Sequence, residues 1–159
     1  MSTPVIESIA EDIATAVNAI TVANGFHQDL TAKRPIRLGL EGLAAETDGT
    51  VVILQEEPSE DEEASSQGNP PSRAWRQPFW LAAYVIASDA VTTPIDTRLN
   101  QVRSDIEKKL RADPTRGGYA IDTIIRAPIF FNEDPGVTGI IVVIEVRYRT
   151  SEDDPYTKA

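Results

Sequence analysis

Ile6, Ile9, Ile13, Val17 and Ile20 recur at three- and four-residue spacing, which predicts an amphipathic helix with a single apolar stripe. Thr3 is placed to cap it, Pro4 suits the first helical position, and Asn24-Gly25 supplies a stop signal. A second stripe, Ile95, Leu99, Val102, Ile106 and Leu110, predicts another helix. Thr93 caps it, Pro94 takes its first position, and Asp96 lies where an acid favours the helix N-terminus. Lys108, Lys109 and Arg111 fall in the last turn, where cations complement the helix dipole, and Asp113-Pro114 ends it.

Elsewhere the apolar period drops to two or the run becomes continuous and β-branched, which predicts strands. Residues 51–55, VVILQ, form one, and residues 26–50 hold one short strand beside three cations. RAWRQPFWLAAYVIA, residues 73–87, is rich in aromatic and β-branched residues and reads as a strand. Pro78 then belongs at an edge or a bulge, because proline has no N–H to donate. In residues 120–131, Ile121, Thr123, Ile125, Ala127 and Ile129 are expected to share one face. In residues 138–149, Ile140, Val142, Ile144, Val146 and Tyr148 do the same. Pro135-Gly136 suits the centre of a type II turn, so these two segments predict an antiparallel hairpin. The order of elements points to an α+β fold: a mainly antiparallel sheet of about four to five strands with two principal helices packed on one face. Residues 1–150 are expected to make a single domain, followed by an extended polar tail, 151–159.

Composition narrows the function. A chain of 159 residues that is 41% hydrophobic suits one core. A formal charge of −10 disfavours docking on nucleic acid or an anionic membrane. Cysteine is absent, which removes disulfides, thiolate metal sites and cysteine catalysis. The N-terminus lacks the basic and apolar regions of a signal peptide, and the longest apolar stretch, Phe79–Ala87, is too short to span a bilayer. EEPSEDEEASSQGNPPS, residues 56–72, opens with six acids and continues with small, polar and proline residues. It predicts a long mobile loop between two strands.

No chemistry emerges from the motifs. His27 stands alone after a helix end, without an orienting partner for base catalysis. Ser65, Ser66 and Ser72 lie in or beside the acidic insert. The segment from Asn132 resembles the start of a calcium loop but carries Val143 where the bidentate glutamate belongs. Gly117-Gly118 lacks the following helix start and Lys-Ser/Thr of a phosphate cradle. No cofactor and no metal site is expected, and an assembly role fits better than an enzyme.

The leading helix ending in ANGF, the helix LNQVRSDIEKKLRAD, the junction GGYAIDTII and the closing IIVVIEVRYRT…DDPY together resemble the tail terminator and neck (tail-completion) proteins of long-tailed bacteriophages. The resemblance implies a six-fold ring that caps the tail tube, stops its polymerisation and offers the joining surface for the head. Its partners would be further copies of the chain, the tail tube protein, a neck or connector protein and, in contractile tails, the sheath. DNA would pass through the lumen without specific binding. The protein would be made in the host cytoplasm and reside in the virion. A stopper or adaptor ring of the neck, and a small acidic cellular binding module, remain as alternatives.

A closed ring needs two unlike patches on each subunit. The expected interface draws on Trp75, Phe79, Trp80, Arg98, Arg103, Lys108, Arg111, Arg116, Gly117, Gly118, Tyr148, Asp153, Asp154 and Tyr156, with cations of one copy meeting acids of the next. Glu56, Glu57, Glu60, Asp61, Glu62 and Glu63 are the candidates to face the lumen, where they would repel phosphates.

Overall fold

A computed structural model describes residues 2–35, 47–66, 68–87, 92–132 and 137–159. Helix α1 spans Val5–Asn18 and is followed by a 3-10 turn, Val22–Asn24. Strands β1 (Thr31–Lys33), β2 (Thr50–Gln55), β3 (Ser59–Glu60) and β4 (Ser72–Ile86) come next. Helix α2, Ile95–Ala112, precedes β5 (Asp122–Ile125), β6 (Ile129–Asn132) and β7 (Val137–Ser151). These strands make one seven-stranded sheet in the order β1-β2-β4-β7-β5, with β3 also on β4 and β6 also on β7. The sheet is larger than the sequence predicts and mixed, since β1 runs parallel to β2.

The spine is the antiparallel pair β4–β7, matched over all fifteen residues from Ser72–Ser151 to Ile86–Val137. Alternation then sorts their side chains. Phe79, Leu81, Ala83 and Val85 of β4 and Ile140, Val142, Ile144 and Val146 of β7 point to one face. There they bury against Val5, Ile9, Ile13 and Val17 of α1 and Leu99, Val102, Ile106 and Leu110 of α2. Each fully buried Ile, Leu or Phe contributes about 1.5–3 kcal/mol, so this layer holds the fold together. The opposite face carries no helix among the described residues; Val52, Ala82 and Tyr84 form a smaller cluster there with Leu54, Phe131, Val137 and Ile141.

Pro78 lies within the spine, opposite Glu145, and not at the sheet's outer edge. Its other flank is where β2 ends at Gln55 and β3 has not yet begun. Glu56 donates its N–H to the Pro78 carbonyl at 3.0 Å, but proline cannot return the bond. The amide of Gln77 replaces it, donating Nε2–H to the Glu56 carbonyl at 2.6 Å and to the Pro78 carbonyl at 2.9 Å. That is why a glutamine is fully buried in an otherwise apolar layer.

Several expectations change. Both helices begin one residue later than predicted: Pro4 and Pro94 are extended N-cap residues with ψ of 146° and 143°, and neither helix has a side-chain cap bond. Asn24-Gly25 stops the 3-10 turn and not α1, with Gly25 left-handed at φ 87°. Residues 120–131 are not one strand. Ile125 pairs with Ile144 and Ile129 with Ile141, four steps against three, so a one-residue bulge spans Arg126–Pro128. The extra residue turns Ile125 toward the helices and Ile129 toward the opposite face, so the expected common face does not exist. The Pro135-Gly136 turn lies outside the described residues. The tail is not extended: Ser151 and Ala159 donate backbone N–H groups to Thr157 and Arg149, and the Pro155 carbonyl accepts from Val5 at the start of α1.

Gly139 sits where Tyr84 and Phe131 meet edge to face, 5.2 Å apart. A Cβ on Gly139 would lie 2.5 Å from the Ala83 carbonyl, with the Phe131 ring closer still. Gly139→Ala is therefore expected to cost about 1–3 kcal/mol, read as a lower chemical-denaturation midpoint at unchanged slope.

Candidate functional site

The double-glycine junction after α2 is a capping device. Arg116, Gly117 and Gly118 are consecutive left-handed residues with φ of 50°, 67° and 85°. The Asp113 carboxylate accepts from the backbone N–H groups of Thr115 and Gly117 and from the Thr115 hydroxyl. Those bonds hold the Asp113 carboxyl below its ordinary pKa, the Thr115 hydroxyl contributing most. The turn drives Arg116 inward until it is 1% exposed. Its guanidinium donates to the Leu110 carbonyl at 2.5 Å and to the Asp113 carbonyl, and Nη1 lies 3.3 Å from Asp12 on α1. Burial pushes the Arg116 pKa down and the Asp12 carboxyl up, each partly offset by the other's charge. Arg116 is therefore an interior residue of the chain and not the surface cation expected at an interface. Gly117 and Gly118 remain at the surface, and a Cβ on Gly118 would meet nothing.

Most other cations of α2 are also engaged within the chain. Arg98 is buried, donating to Asp48 at 2.7 Å and to the Ile86 carbonyl at 3.0 Å. Arg103 pairs with Glu107 one turn on, and the Lys108 ammonium lies 5.3 Å from the Phe26 ring centroid. Arg111 is exposed without a charge partner among the described residues. The α2 surface is thus a poor cationic patch.

The acidic insert is folded where a mobile loop is expected. β3 pairs with β4, Asp61 donates its backbone N–H to Ala74, and the Ser65 hydroxyl accepts the Ala74 N–H. Glu60 pairs with Arg73, which also stacks on Trp75, and Asp61 pairs with Arg76. These arginine bonds lower the Glu60 and Asp61 pKa values. For carboxylates lowered in the folded state, the stabilisation is complete above the unfolded values, about pH 4–4.5, and is lost as pH falls through the lower folded values. The protection of the Asp61 amide, measured against its unprotected exchange rate at the same pH, should therefore fall below about pH 4 before that of the α1–sheet core. Simultaneous loss of protection in both would show that the insert has no separate latch. Glu56, Glu57 and Glu62 carry no ion pair among the described residues, while Glu63 is engaged.

The remaining predicted residues separate into core and surface. Phe79 and Tyr148 are buried under the helices, so neither offers an interface side chain, and burial raises the Tyr148 hydroxyl. Trp75 is half-buried beneath Arg73, and half-buried Trp80 lies on the helix-free face between Leu54 and Val143. Asp154 serves the tail's own turn, accepting from Tyr156 N–H and the Thr157 hydroxyl. Asp153 and Tyr156 are exposed.

What the sequence reading missed is an edge. Tyr119, Ile121, Ile129 and Phe130 are 43%, 56%, 42% and 58% exposed and all lie along the β5–β6 side of the sheet. Beyond β5 and β6 no strand is paired among the described residues. The far side differs, because the outward Ala32 N–H of β1 is taken by the Asn18 side chain at 2.8 Å. A side-chain acceptor there blunts the edge against strand addition.

Asp105 is a second omission. Buried on α2, it accepts the His27 backbone N–H and contacts His27 Nδ1, both at 2.9 Å, clamping the chain after α1. An acid beside the apolar stripe of Val102 and Ile106 was the available signal, since a buried carboxylate requires a partner. Among the described residues no group of three or more His, Asp or Glu could hold a metal, and no helix is long and apolar enough to cross a membrane. No protein-family model matches the chain, and no curated protein matches it at a significant level.

Proposed function

We propose that this chain is a structural tail-terminator subunit, acting without catalysis as a homohexameric ring at the end of a tail tube. The observation that carries the reading is the pair of unlike flanks on either side of the β4–β7 spine. One flank bears the folded acidic insert on β3; the other bears the apolar β5–β6 edge. Two different patches on opposite sides are what a head-to-tail ring uses, whereas a two-fold dimer needs one self-complementary patch. Four exposed large apolar side chains on one edge exceed the scatter of single exposed residues on a monomer's surface. The mechanism is geometric: one ring face matches the tube end, and the other presents a surface on which no further tube subunit can add. Glu60 and Asp61 are neutralised by their own arginines, which weakens the insert as a repellent lining for DNA.

The test is elongation of the tube. Purified chain added to growing tail tubes should arrest them, and labelled particles should show it at the head-proximal end of the tail. Tubes that lengthen unhindered, or particles that carry the chain elsewhere, would overturn the reading.

A further inference from the structure

The helix-free face holds a group of arginines in a strongly acidic chain. Cross-strand register puts Arg76 of β4 opposite Arg147 of β7, with Arg149 two residues further along the same face and Arg126 at the β5–β6 bulge. Like charges placed opposite each other repel unless carboxylates intervene. Two do so directly. Asp61 takes Arg76 at 2.9 Å, and the single carboxylate of Glu145 is shared by Arg126 at 3.3 Å and Arg147 at 3.4 Å. Asp122 pairs with Arg147 in register but uses its Oδ1 on the Thr123 N–H, and the charge of Glu63 also acts on Arg76. Arg149 has no acceptor among the described residues, and its Nε is buried and unbonded.

The geometry points to this arginine group as the receptor for carboxylates of a second copy of the chain, contributed by Glu57 and Glu62 of that copy's acidic insert. Three observations select this occupant. Glu57 and Glu62 are exposed and carry no ion pair of their own among the described residues. The insert of the same copy lies along β3 and takes Arg76, yet it leaves Arg149, one strand further on β7, with its Nε buried and unbonded. Arg126 also joins the group to exposed Ile129, which the bulge turns to the same helix-free face, giving an apolar anchor with a charged rim, the usual anatomy of a specific interface. A nucleic acid is the less favoured occupant because the chain as a whole carries −10.

The contact deepens the ring reading and rests on it, so the test separates the two. Full-length Arg149→Glu and Glu57→Arg/Glu62→Arg are prepared, and circular dichroism and melting verify that each is folded. Ring formation is followed by native mass spectrometry and on tube ends at low and moderate salt. Each variant should weaken association about tenfold, the scale of a close charge pair, and combining all three reversals should restore it. A wild-type ring indifferent to Arg149→Glu, or a triple variant that stays weak, would overturn the contact and leave the ring standing. A wild type that forms no ring in solution or on tube ends overturns both. Retention of a short DNA duplex by wild type but not by Arg149→Glu, with self-association unchanged, would reassign the arginines to nucleic acid.

Discussion

Arg116→Ala is expected to lower the unfolding free energy by about 3–5 kcal/mol, the cost of breaking a buried, hydrogen-bonded charge pair from one side. The substitution strips the Leu110 and Asp113 carbonyls of their donor at the end of α2 and removes the counter-charge of Asp12. For a domain of this size the loss corresponds to a melting decrease of roughly 10 °C or more. Its pH dependence carries a sign. Asp12 already sits above its ordinary pKa through burial, and losing Arg116 raises it further. A carboxyl raised in the folded state binds more protons folded than unfolded, so stability falls as pH climbs from the unfolded value through the folded one. The deficit of the variant should therefore shrink between pH 7 and about pH 4 as Asp12 protonates. Arg116→Lys, which keeps the charge without the fork, should fall between alanine and wild type. Wild-type stability in Arg116→Ala would show that the double-glycine turn forms without its plug.

Gln77→Ala is expected to cost about 2–4 kcal/mol, combining an orphaned Glu56 carbonyl with the cavity left by a fully buried side chain. The cause is Pro78: residue 78 should donate to Glu56, has no N–H, and leaves the bond to its neighbour's amide. Pro78→Ala supplies that N–H and is the discriminating partner. In a Gln77→Leu background, which avoids the cavity, Pro78→Ala should recover about 1 kcal/mol, and in the wild-type background it should be near neutral. Simple additivity of the two changes in denaturant unfolding would contradict the substitution of one donor for the other.

The candidate site was legible in composition and hidden in placement. Contrasting acidic and cationic segments could be read from charge, but not which charges remain for a partner. Arg98 and Arg103 on α2 and Arg116 in the turn after it look alike in sequence, yet each is taken by a carboxylate of the same chain. Arg147 and Arg149 alternate with Val146 and Tyr148 on β7, a pattern that marks them as the non-core face, and Arg149 ends without an acceptor. Phe79 is expected at an interface and is instead at the centre of the core, because its face of β4 is covered by α1 and α2.

The chain's own pattern determined that α1 and α2 are helices with one buried stripe each, that β4 and β7 are strands, and that the apolar residues at 140, 142, 144 and 146 share a face. These follow from local periodicity, which the backbone geometry of each element converts directly into sides. Only the tertiary structure decided that β4 pairs with β7 along its whole length, that β1 runs parallel to β2, and that the acidic insert folds onto β4. Strand pairing is made by main-chain groups common to every residue, so sequence period says which face a strand buries but not which neighbour it takes. The bulge at Arg126–Pro128 shows the same limit at its sharpest. One unpaired residue exchanges the two faces of the strand, and what remains exposed is the apolar edge on which the proposed assembly turns.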